Sequence, residues 1–167
     1  LCGKSQDLRH LADQGMAGTG VELSPLAVAD FFREQGLAAQ VRRAGAFDEH
    51  QAAGVRLLCG DFLALDRAQA GNPVAVFDRA ALVALPPAMR GRYATHLASL
   101  LAPGGRILLV SFEYPQEEMP GPPFCVPQAE IRALFGAQFD IAALGRADIL
   151  DQEPRFRARG LTRLAET

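Results

Sequence analysis

The sequence predicts an α/β fold with a doubly wound, Rossmann-like sheet. Apolar runs of strand length alternate with segments of helical period, which is the pattern of a mostly parallel sheet with helices on both faces. Helix signals follow directly after the carboxyl ends of predicted strands, the edge where open α/β sheets bind their ligands. The 167 residues suit one domain, residues 1–167, and 49% apolar residues can fill its core.

The chain opens with a predicted tight turn and a short helix. Gly3 lies in the turn, and the helix covers Ser5–Gln14 before Gly15 ends it. The turn is typical of the exit from a strand, and that strand would precede Leu1, where the chain has no initiating Met. We therefore expect a fragment that lacks the first strand of its sheet.

A strand and a second helix come next. The strand covers Thr19–Leu23, Ser24 is a favourable N-cap, and Pro25 is a favourable first residue for the helix. Residues 37–54 lose this periodicity and predict a surface excursion. Another strand is predicted at Val55–Cys59.

The second half of the chain predicts strand, helix, strand and a proline-rich loop. Val74–Asp78 opens as a continuous apolar run, which predicts a strand buried on both faces. The helix begins at Pro86-Pro87 and is expected to turn inward the side chains of Met89, Tyr93, Leu97, Leu100 and Leu101. The next strand covers Arg106–Phe112. Glu113–Pro127 contains five prolines and predicts a rigid loop at the carboxyl edge of this strand, where we expect a substrate wall.

Composition and charge exclude several classes of function. The net charge is −2 and the pI is near 5.9, with no basic run longer than two residues, so no nucleic-acid partner is predicted. The three cysteines and three histidines lack metal-ligand spacing, so neither a metal site nor a disulfide framework is predicted. No apolar run is long enough to span a bilayer. We expect a cytoplasmic protein without a membrane partner.

Residues at the carboxyl ends of four strands form a candidate ligand site. Gly3 would let the backbone approach a ligand closely, and Glu22 could accept hydrogen bonds from both hydroxyls of a ribose. Asp61 and Phe62 could hold the amino group and ring face of an adenine, and Arg79 follows the next strand. Each residue alone also fits an ordinary structural role, such as a turn glycine or a core phenylalanine. Only the ordered set points to a nucleoside cofactor.

Several longer motifs add to this set. They are Leu1-Cys2-Gly3-Lys4, Gly20-Val21-Glu22-Leu23-Ser24, Asp78-Arg79-Ala80-Ala81-Leu82-Val83-Ala84-Leu85, and Gly121-Pro122-Pro123-Phe124-Cys125-Val126-Pro127 followed by Ala129-Glu130-Ile131 and Leu134-Phe135-Gly136. Together they resemble the class I S-adenosylmethionine-dependent methyltransferases and, within them, the thiopurine S-methyltransferase family, whose bacterial members include proteins linked to tellurite and selenium handling. The motifs span almost the whole chain in the order of that family.

The resemblance implies S-adenosyl-L-methionine as the cofactor. Its methionine part would lie beside Leu1 and Gly3, and its ribose would bind Glu22. The other cofactor contacts that the resemblance implies are those of Leu23, Asp61, Phe62 and Arg79.

The resemblance also implies the reaction, which is methyl transfer to the sulfur of thiopurines or other aromatic thiols, or to selenium or tellurium species. Arg79 matches an arginine near the reacting centre and would be the catalytic residue, because a guanidinium stays charged and favours an anionic acceptor. The other substrate contacts that it implies are those of Pro122, Pro123, Phe124 and Arg155. We expect the full-length protein to be a monomer, and this chain to stop about where the family's final strand would begin.

Two other interpretations stay open. Gly18-Thr19-Gly20 with Glu22 suggests the fingerprint of an NAD-dependent oxidoreductase, although that motif must begin a helix and here it lies in a predicted strand. A methyltransferase-like domain that binds the cofactor without turnover is the second alternative, since the lid residues of the family would lie ahead of Leu1.

Overall fold

The computed structural model describes residues 2–167, and the chain divides into two compact units. The N-terminal unit ends at Asn72, and the C-terminal unit covers Pro73–Thr167. Each unit combines helices with a pair of parallel strands, as an α/β fold requires. The assignment of all 167 residues to a single domain stays a prediction.

The N-terminal unit is built on a four-stranded sheet in the order β1-β4-β3-β2. Its elements are α1 (Asp7–Asp13), β1 (Gly18–Glu22), α2 (Pro25–Glu34), β2 (Gln40–Ala44), β3 (Phe47–Ala52), β4 (Val55–Cys59) and α3 (Arg67–Ala70). β1 and β4 run parallel, whereas β3 is antiparallel to both of its neighbours. The predictions of α1, β1, the start of α2, and β4 are confirmed.

Local capping sets the start of α2. The Ser24 hydroxyl accepts a hydrogen bond from the Ala27 amide at 3.3 Å, and Pro25 is the first helical residue, so the predicted N-cap is confirmed. One face of α2 packs against β4, and the buried side chains that form the cluster between them are Val28, Phe31, Phe32, Val55, Leu57 and Cys59. This apolar cluster is the core of the N-terminal unit.

Gly20 in β1 makes room for side chains from three neighbouring segments. A Cβ at this position would lie 2.5 Å from Leu57 Cδ2, 2.6 Å from Leu8 Cδ1 and 2.8 Å from Cys2 Sγ. No larger residue fits unless these side chains move. The glycines of Gly18-Thr19-Gly20 therefore belong to a closely packed strand, and they do not begin a helix as a dinucleotide fingerprint must.

The predicted surface excursion over residues 37–54 is wrong. The structure has a hairpin there, formed by β2 and β3, and β3 extends the sheet by pairing with β4. Gly45 has a φ of 62° at the first position of the two-residue loop, where a type II′ turn requires glycine. β3 departs from the apolar alternation of a half-buried strand because its two buried side chains are Phe47 and the glutamate Glu49, which is 1% exposed.

Two arginines surround the buried carboxylate of Glu49. Arg42 Nε on β2 donates to Oε1 at 2.7 Å, and Arg56 on β4 donates to Oε2 from Nε at 2.8 Å and from Nη2 at 2.6 Å. The hydrogen bond from Arg42, together with those from Arg56, holds the pKa of Glu49 below its usual value although burial opposes this. The network satisfies a buried charge with partners from both neighbouring strands.

We expect Glu49→Gln to lower the free energy of unfolding by about 1–3 kcal/mol at pH 7, because both arginines lose a charge-assisted partner. A carboxyl group with a depressed folded-state pKa stabilises the fold above its unfolded pKa, and this contribution is lost as the pH falls through the folded value. The difference between wild type and variant should therefore shrink below about pH 4.5. Urea unfolding across this pH range measures it.

Asp48→Asn is the matched control for this experiment. Asp48 pairs with Arg43 at 2.9 Å on the same hairpin, but both side chains are exposed. We expect the control to change the free energy of unfolding by less than about 0.5 kcal/mol. An effect of Glu49→Gln that is equally large at neutral and acidic pH would contradict the role of the ionised carboxylate.

The C-terminal unit contains two small sheets. β5 and β6 run parallel, and a second, antiparallel sheet has the order β7-β9-β8. The elements of the unit are β5 (Ala75–Asp78), α4 (Ala81–Ala84), α5 (Pro87–Leu100), β6 (Arg106–Leu109), β7 (Phe112–Glu113), α6 (Gln128–Phe135), β8 (Ala147–Asp148), α7 (Pro154–Ala158) and β9 (Ala165–Glu166). β9 consists of two residues near the end of the chain, and the expectation that the family's final strand would begin about there stays a prediction.

The predicted strand Arg106–Phe112 is divided between the two sheets. β6 pairs with β5, and the Val110 amide donates to the Asp78 carbonyl at 2.8 Å. Ser111 then exchanges two backbone hydrogen bonds with Thr167, at 2.9 and 3.0 Å. The backbone changes its partner at this point, and the sequence alone contains no signal for the change because the partners are distant in the chain.

The predicted burial of Val74–Asp78 on both faces is wrong. Val74 is 73% exposed and Phe77 is 42% exposed, whereas Asp78 is buried. Among residues 2–167, β5 pairs along one edge only, with β6. The apolar side chains of Val74–Asp78 are therefore less buried than the composition of this segment predicts.

The helix α5 turns a charged residue inward in place of a predicted apolar one. Met89 is 46% exposed, and its neighbour Arg90 is 1% exposed. The other inward predictions for this segment are confirmed, namely Tyr93, Leu97, Leu100 and Leu101. Burial of Arg90 is possible because Glu130 on α6 pairs with it at 2.8 Å.

Candidate functional site

The Glu22 carboxylate at the end of β1 organises the turn at the start of the chain. Its Oε2 accepts a hydrogen bond from the Gly3 amide, and its Oε1 accepts one from the Ser24 amide, both at 2.9 Å. Gly3 has a φ of 54°, and a Cβ added there would meet nothing within 4 Å, so the backbone is open to a ligand. A carboxylate has about four lone-pair positions. Two are used here, which leaves one on each oxygen for further donors.

Asp61 and Phe62 follow β4 at the same edge of the sheet as Glu22. In the register of β1 with β4, Glu22 lies opposite Cys59, and the Gly60 amide donates to the Glu22 carbonyl at 2.9 Å. Asp61 is exposed and caps the short 3-10 helix that follows, and Phe62 is half-buried. The register thus brings these predicted residues to one edge, and their contacts with adenine stay predictions.

Three further described side chains at this edge of the N-terminal unit are those of Leu23, Cys2 and Cys59. Leu23 is 61% exposed beside the carboxylate, and Leu1, a predicted cofactor contact, lies outside the described residues. Burial raises the pKa of the Cys2 and Cys59 thiols. Both cysteines therefore favour the neutral thiol, which is a poor nucleophile.

In the C-terminal unit, the Asp78 side chain fixes the backbone that carries Arg79. Its Oδ1 accepts from the Ala81 and Leu82 amides at 2.9 and 3.2 Å, and its Oδ2 accepts from the Tyr93 hydroxyl at 2.8 Å. Burial raises the pKa of Asp78 and of Tyr93. Arg79 itself is exposed, directly after β5. A cation is thus held at the edge where open α/β sheets bind ligands.

The proline segment, Gly121–Pro127, is held by hydrogen bonds to its backbone. These join the Phe124 amide to the Val83 carbonyl at 2.6 Å, the Val126 amide to the Phe112 carbonyl at 2.8 Å, the Tyr114 hydroxyl to the Pro123 carbonyl at 2.6 Å, and the Cys125 amide to Gln116 Oε1 at 2.9 Å. The peptide bonds before Pro122 and Pro123 are cis. The predicted loop is therefore tied to its own unit at several points, and its contact with a substrate stays a prediction.

Arg155 and Arg159 lie in and just after α7. Arg155 pairs with Glu153 at 2.8 Å, and its guanidinium carbon lies 4.8 Å from the ring centre of Phe156. Arg159 Nη1 donates to the Pro122 carbonyl at 3.4 Å. The structure therefore links Arg159 to the proline segment, which sequence reasoning missed because no local pattern distinguishes the two arginines.

Other kinds of site find no support in the described part of the chain. Within residues 2–167, no group of three or more His, Cys, Asp or Glu side chains could hold a metal ion. The helices described over the same range include none that is long and apolar enough to cross a membrane. The cytoplasmic location and the monomeric state stay predictions.

Comparison with known protein families shows which family this chain belongs to. A family model described as Thiopurine S-methyltransferase (TPMT) matches residues 1–167. The chain belongs to the thiopurine S-methyltransferase family. The predicted family, the methyltransferase class of enzyme and S-adenosyl-L-methionine as cofactor are thereby confirmed.

Similar proteins named thiopurine S-methyltransferase occur in several bacteria. The relative from Nitrosospira multiformis is 49% identical over 167 residues, which is 100% of this chain and 76% of the relative. The relative from Xanthomonas campestris pv. campestris is 51% identical over 166 residues, or 99% of this chain and 76% of the relative. The similarity to the thiopurine S-methyltransferase family thus extends along the whole chain.

Solved structures with this fold are more distant in sequence. A Burkholderia thailandensis 1,6-didemethyltoxoflavin N1-methyltransferase has a TM-score of 0.59 and 21% identity, with coverage of 99% of this chain and 66% of the other. A protein of echinomycin biosynthesis, described for conversion of a disulfide bond into a thioacetal group, has a TM-score of 0.61 and 19% identity, with coverage of 99% and 70%. These likenesses confirm the predicted α/β, Rossmann-like fold.

Proposed function

We propose that this chain transfers the methyl group of S-adenosyl-L-methionine to the sulfur of thiopurines or other aromatic and heterocyclic thiols. The observation that carries the choice of acceptor is the exposed Arg79 guanidinium on a backbone fixed by Asp78, in a member of the thiopurine S-methyltransferase family. A permanent cation favours an acceptor that reacts as an anion, and a thiol is such an acceptor.

The residues at the end of β1 fit the cofactor in their chemistry. Glu22 would accept hydrogen bonds from the two ribose hydroxyls on the lone pairs that Gly3 and Ser24 leave unused. The open backbone at Gly3 would accommodate the methionine part, and Asp61 with Phe62 would flank the adenine. Leu1, Leu23 and Arg79 complete the proposed cofactor contacts.

When bound, S-adenosyl-L-methionine supplies a methyl group on a positively charged sulfur that is already activated for transfer. The chain's own residues therefore have to orient the acceptor and exclude water, and no protein nucleophile is required. Arg79 would hold the acceptor sulfur as its anion after the thiol proton passes to solvent. This assigns Arg79 as the catalytic residue.

The proline segment would form the wall against which an aromatic acceptor binds. Pro122, Pro123 and Phe124 present apolar surface on a backbone that is tied to its unit at several points. Aromatic rings bury large apolar areas against such surfaces. We propose a second cation, Arg155, as a further substrate contact on α7.

We expect the protein to transfer a labelled methyl group from S-adenosyl-L-methionine to benzenethiol and mercaptopurine, with the label on sulfur. Phenol and hypoxanthine are the matched control acceptors, because each replaces that sulfur by oxygen. NMR of the products locates the methyl group. Benzeneselenol and hydrogen telluride in the same assay decide whether selenium and tellurium species are also acceptors.

Two results would overturn the proposal. Methylation of a ring nitrogen in mercaptopurine would show that the protein transfers the methyl group to nitrogen and not to sulfur. Binding of the cofactor without transfer to either thiol would favour a binding domain that lacks turnover.

A further inference from the structure

Arg90 is a buried cation held at three points in the C-terminal unit. Its Nη1 lies 2.8 Å from both carboxylate oxygens of Glu130 on α6, and its Nε donates to the Leu85 carbonyl at 3.0 Å. Its guanidinium carbon lies 5.7 Å from the ring centre of Phe124. The guanidinium therefore contacts one of the residues proposed to bind the acceptor, and its own orientation is fixed by the other two contacts.

The ring of Phe124 is confined by its neighbours as well as by Arg90. Its backbone amide donates to the Val83 carbonyl at 2.6 Å. The ring also packs against Gly121 so closely that a Cβ there would overlap it. Backbone, glycine and guanidinium together leave the ring little freedom of position.

The stability of the unit alone does not explain a charged pair at this place. Arg90 Nη2 is buried and has no hydrogen-bond partner among residues 2–167, which disfavours the folded state. An apolar pair of similar size would fill the same space without an unsatisfied donor, and such replacements are often neutral or stabilising. The ion pair adds a fixed orientation of the Arg90 guanidinium, because Glu130 and Leu85 both bind its planar set of donors.

We propose that Arg90 and Glu130 form a positioning pair that holds the Phe124 ring in place for an aromatic acceptor. The pair acts through Phe124 and does not touch the reacting atoms, so neither member is a catalytic residue. This inference rests on the proposed function, because it gives Phe124 its role in binding the acceptor.

The test is the double variant Arg90→Met/Glu130→Leu, which removes both charges and keeps most of the volume. We expect a melting temperature close to that of the wild type, because no uncompensated charge remains buried. We expect KM for benzenethiol to rise roughly tenfold or more, because a displaced Phe124 side chain no longer fits against the ring of the acceptor. KM for S-adenosyl-L-methionine should stay unchanged. An unchanged KM for benzenethiol in a variant that melts like the wild type would reduce the pair to a structural role.

A mutant cycle with Phe124→Ala tests whether the pair acts through this ring. In the Phe124→Ala background, adding the double substitution should change KM for benzenethiol by less than about twofold, since the ring that the pair positions is gone. If the fold-changes in KM caused by Phe124→Ala and by the double substitution simply multiply, the pair acts by another route and the proposal is overturned. This comparison also holds if the double variant is less stable than expected, because the same two substitutions are added to the wild type and to Phe124→Ala.

A fluorine label separates this inference from the proposed function. In protein labelled with 4-fluorophenylalanine, the resonance of residue 124 is assigned by its loss in Phe124→Leu. We expect Arg90→Met/Glu130→Leu to shift or broaden this resonance in the absence of any acceptor. A shift in a protein that methylates no thiol would support the positioning pair while the proposed acceptor fails. An unmoved resonance in a protein that does methylate thiols would contradict the pair alone.

Discussion

Replacement of Arg79 by alanine is expected to lower kcat/KM for an aromatic thiol by roughly 10- to 100-fold, because a hydrogen bond to a charged group contributes about 1.5–3 kcal/mol. Arg79 is exposed on a backbone that Asp78 fixes through two amide hydrogen bonds. The melting temperature should therefore change little, since exposed positions usually contribute less than about 0.5 kcal/mol. Steady-state kinetics and a thermal melt of the same preparations measure both effects.

Two companion variants sharpen the test of Arg79. Arg79→Lys keeps the charge and loses the planar fork, so it should recover only part of the activity. Arg92→Ala removes another exposed arginine of the same unit, on α5, and should leave kcat/KM unchanged. Equal kinetics for wild type and Arg79→Ala would exclude a role of this guanidinium on the acceptor.

Replacement of Glu22 by glutamine is expected to weaken the binding of S-adenosyl-L-methionine by about tenfold or more, since the ribose loses at least one charge-assisted hydrogen bond. The reason lies in the geometry of the carboxylate. Gly3 and Ser24 each use one lone pair, on different oxygens, so both oxygens keep one position for a hydroxyl. An amide keeps only one of these oxygens as an acceptor. Isothermal calorimetry with the cofactor measures the change.

Glu34→Gln is the matched control for the cofactor experiment. Glu34 pairs with Lys4 at 2.7 Å, and Lys4 belongs to the same opening turn as Gly3. This control removes a carboxylate beside the turn without touching the proposed ribose site, and we expect its affinity to match the wild type. Cofactor affinity that is unchanged in a folded Glu22→Gln variant would remove Glu22 from the site.

Sequence patterns predict the parts of this fold that depend on local chemistry. Ser24 and Pro25 specify the start of α2 by capping, and the mainly apolar segment Val55–Cys59 specifies β4. Both predictions are confirmed. The same holds for the family, because its motifs are runs of consecutive residues. Local patterns were sufficient wherever one short segment contains all the information.

The features that escape prediction depend on partners far away in the chain. Glu49 can face inward in β3 only because arginines on two neighbouring strands meet it, so its hairpin has no apolar alternation. Arg90 replaces Met89 on the inward face of α5 because Glu130, 40 residues later, neutralises it. In the site, the position of Glu22 was predictable, but its two amide donors and the link from Arg159 to the proline segment were not.

The many backbone ties of the proline segment determine when its conformational entropy is lost. Residues 121–124 are ordered by contacts within the C-terminal unit, so their freedom is lost during folding and not on arrival of a ligand. Fixing one residue costs about 1–2 kcal/mol, and less for a proline, so Gly121 and Phe124 alone represent roughly 2–4 kcal/mol that a ligand docking here does not have to supply. A small, rigid molecule with few polar groups can bind such a surface with useful affinity, although it offers little interaction energy of its own.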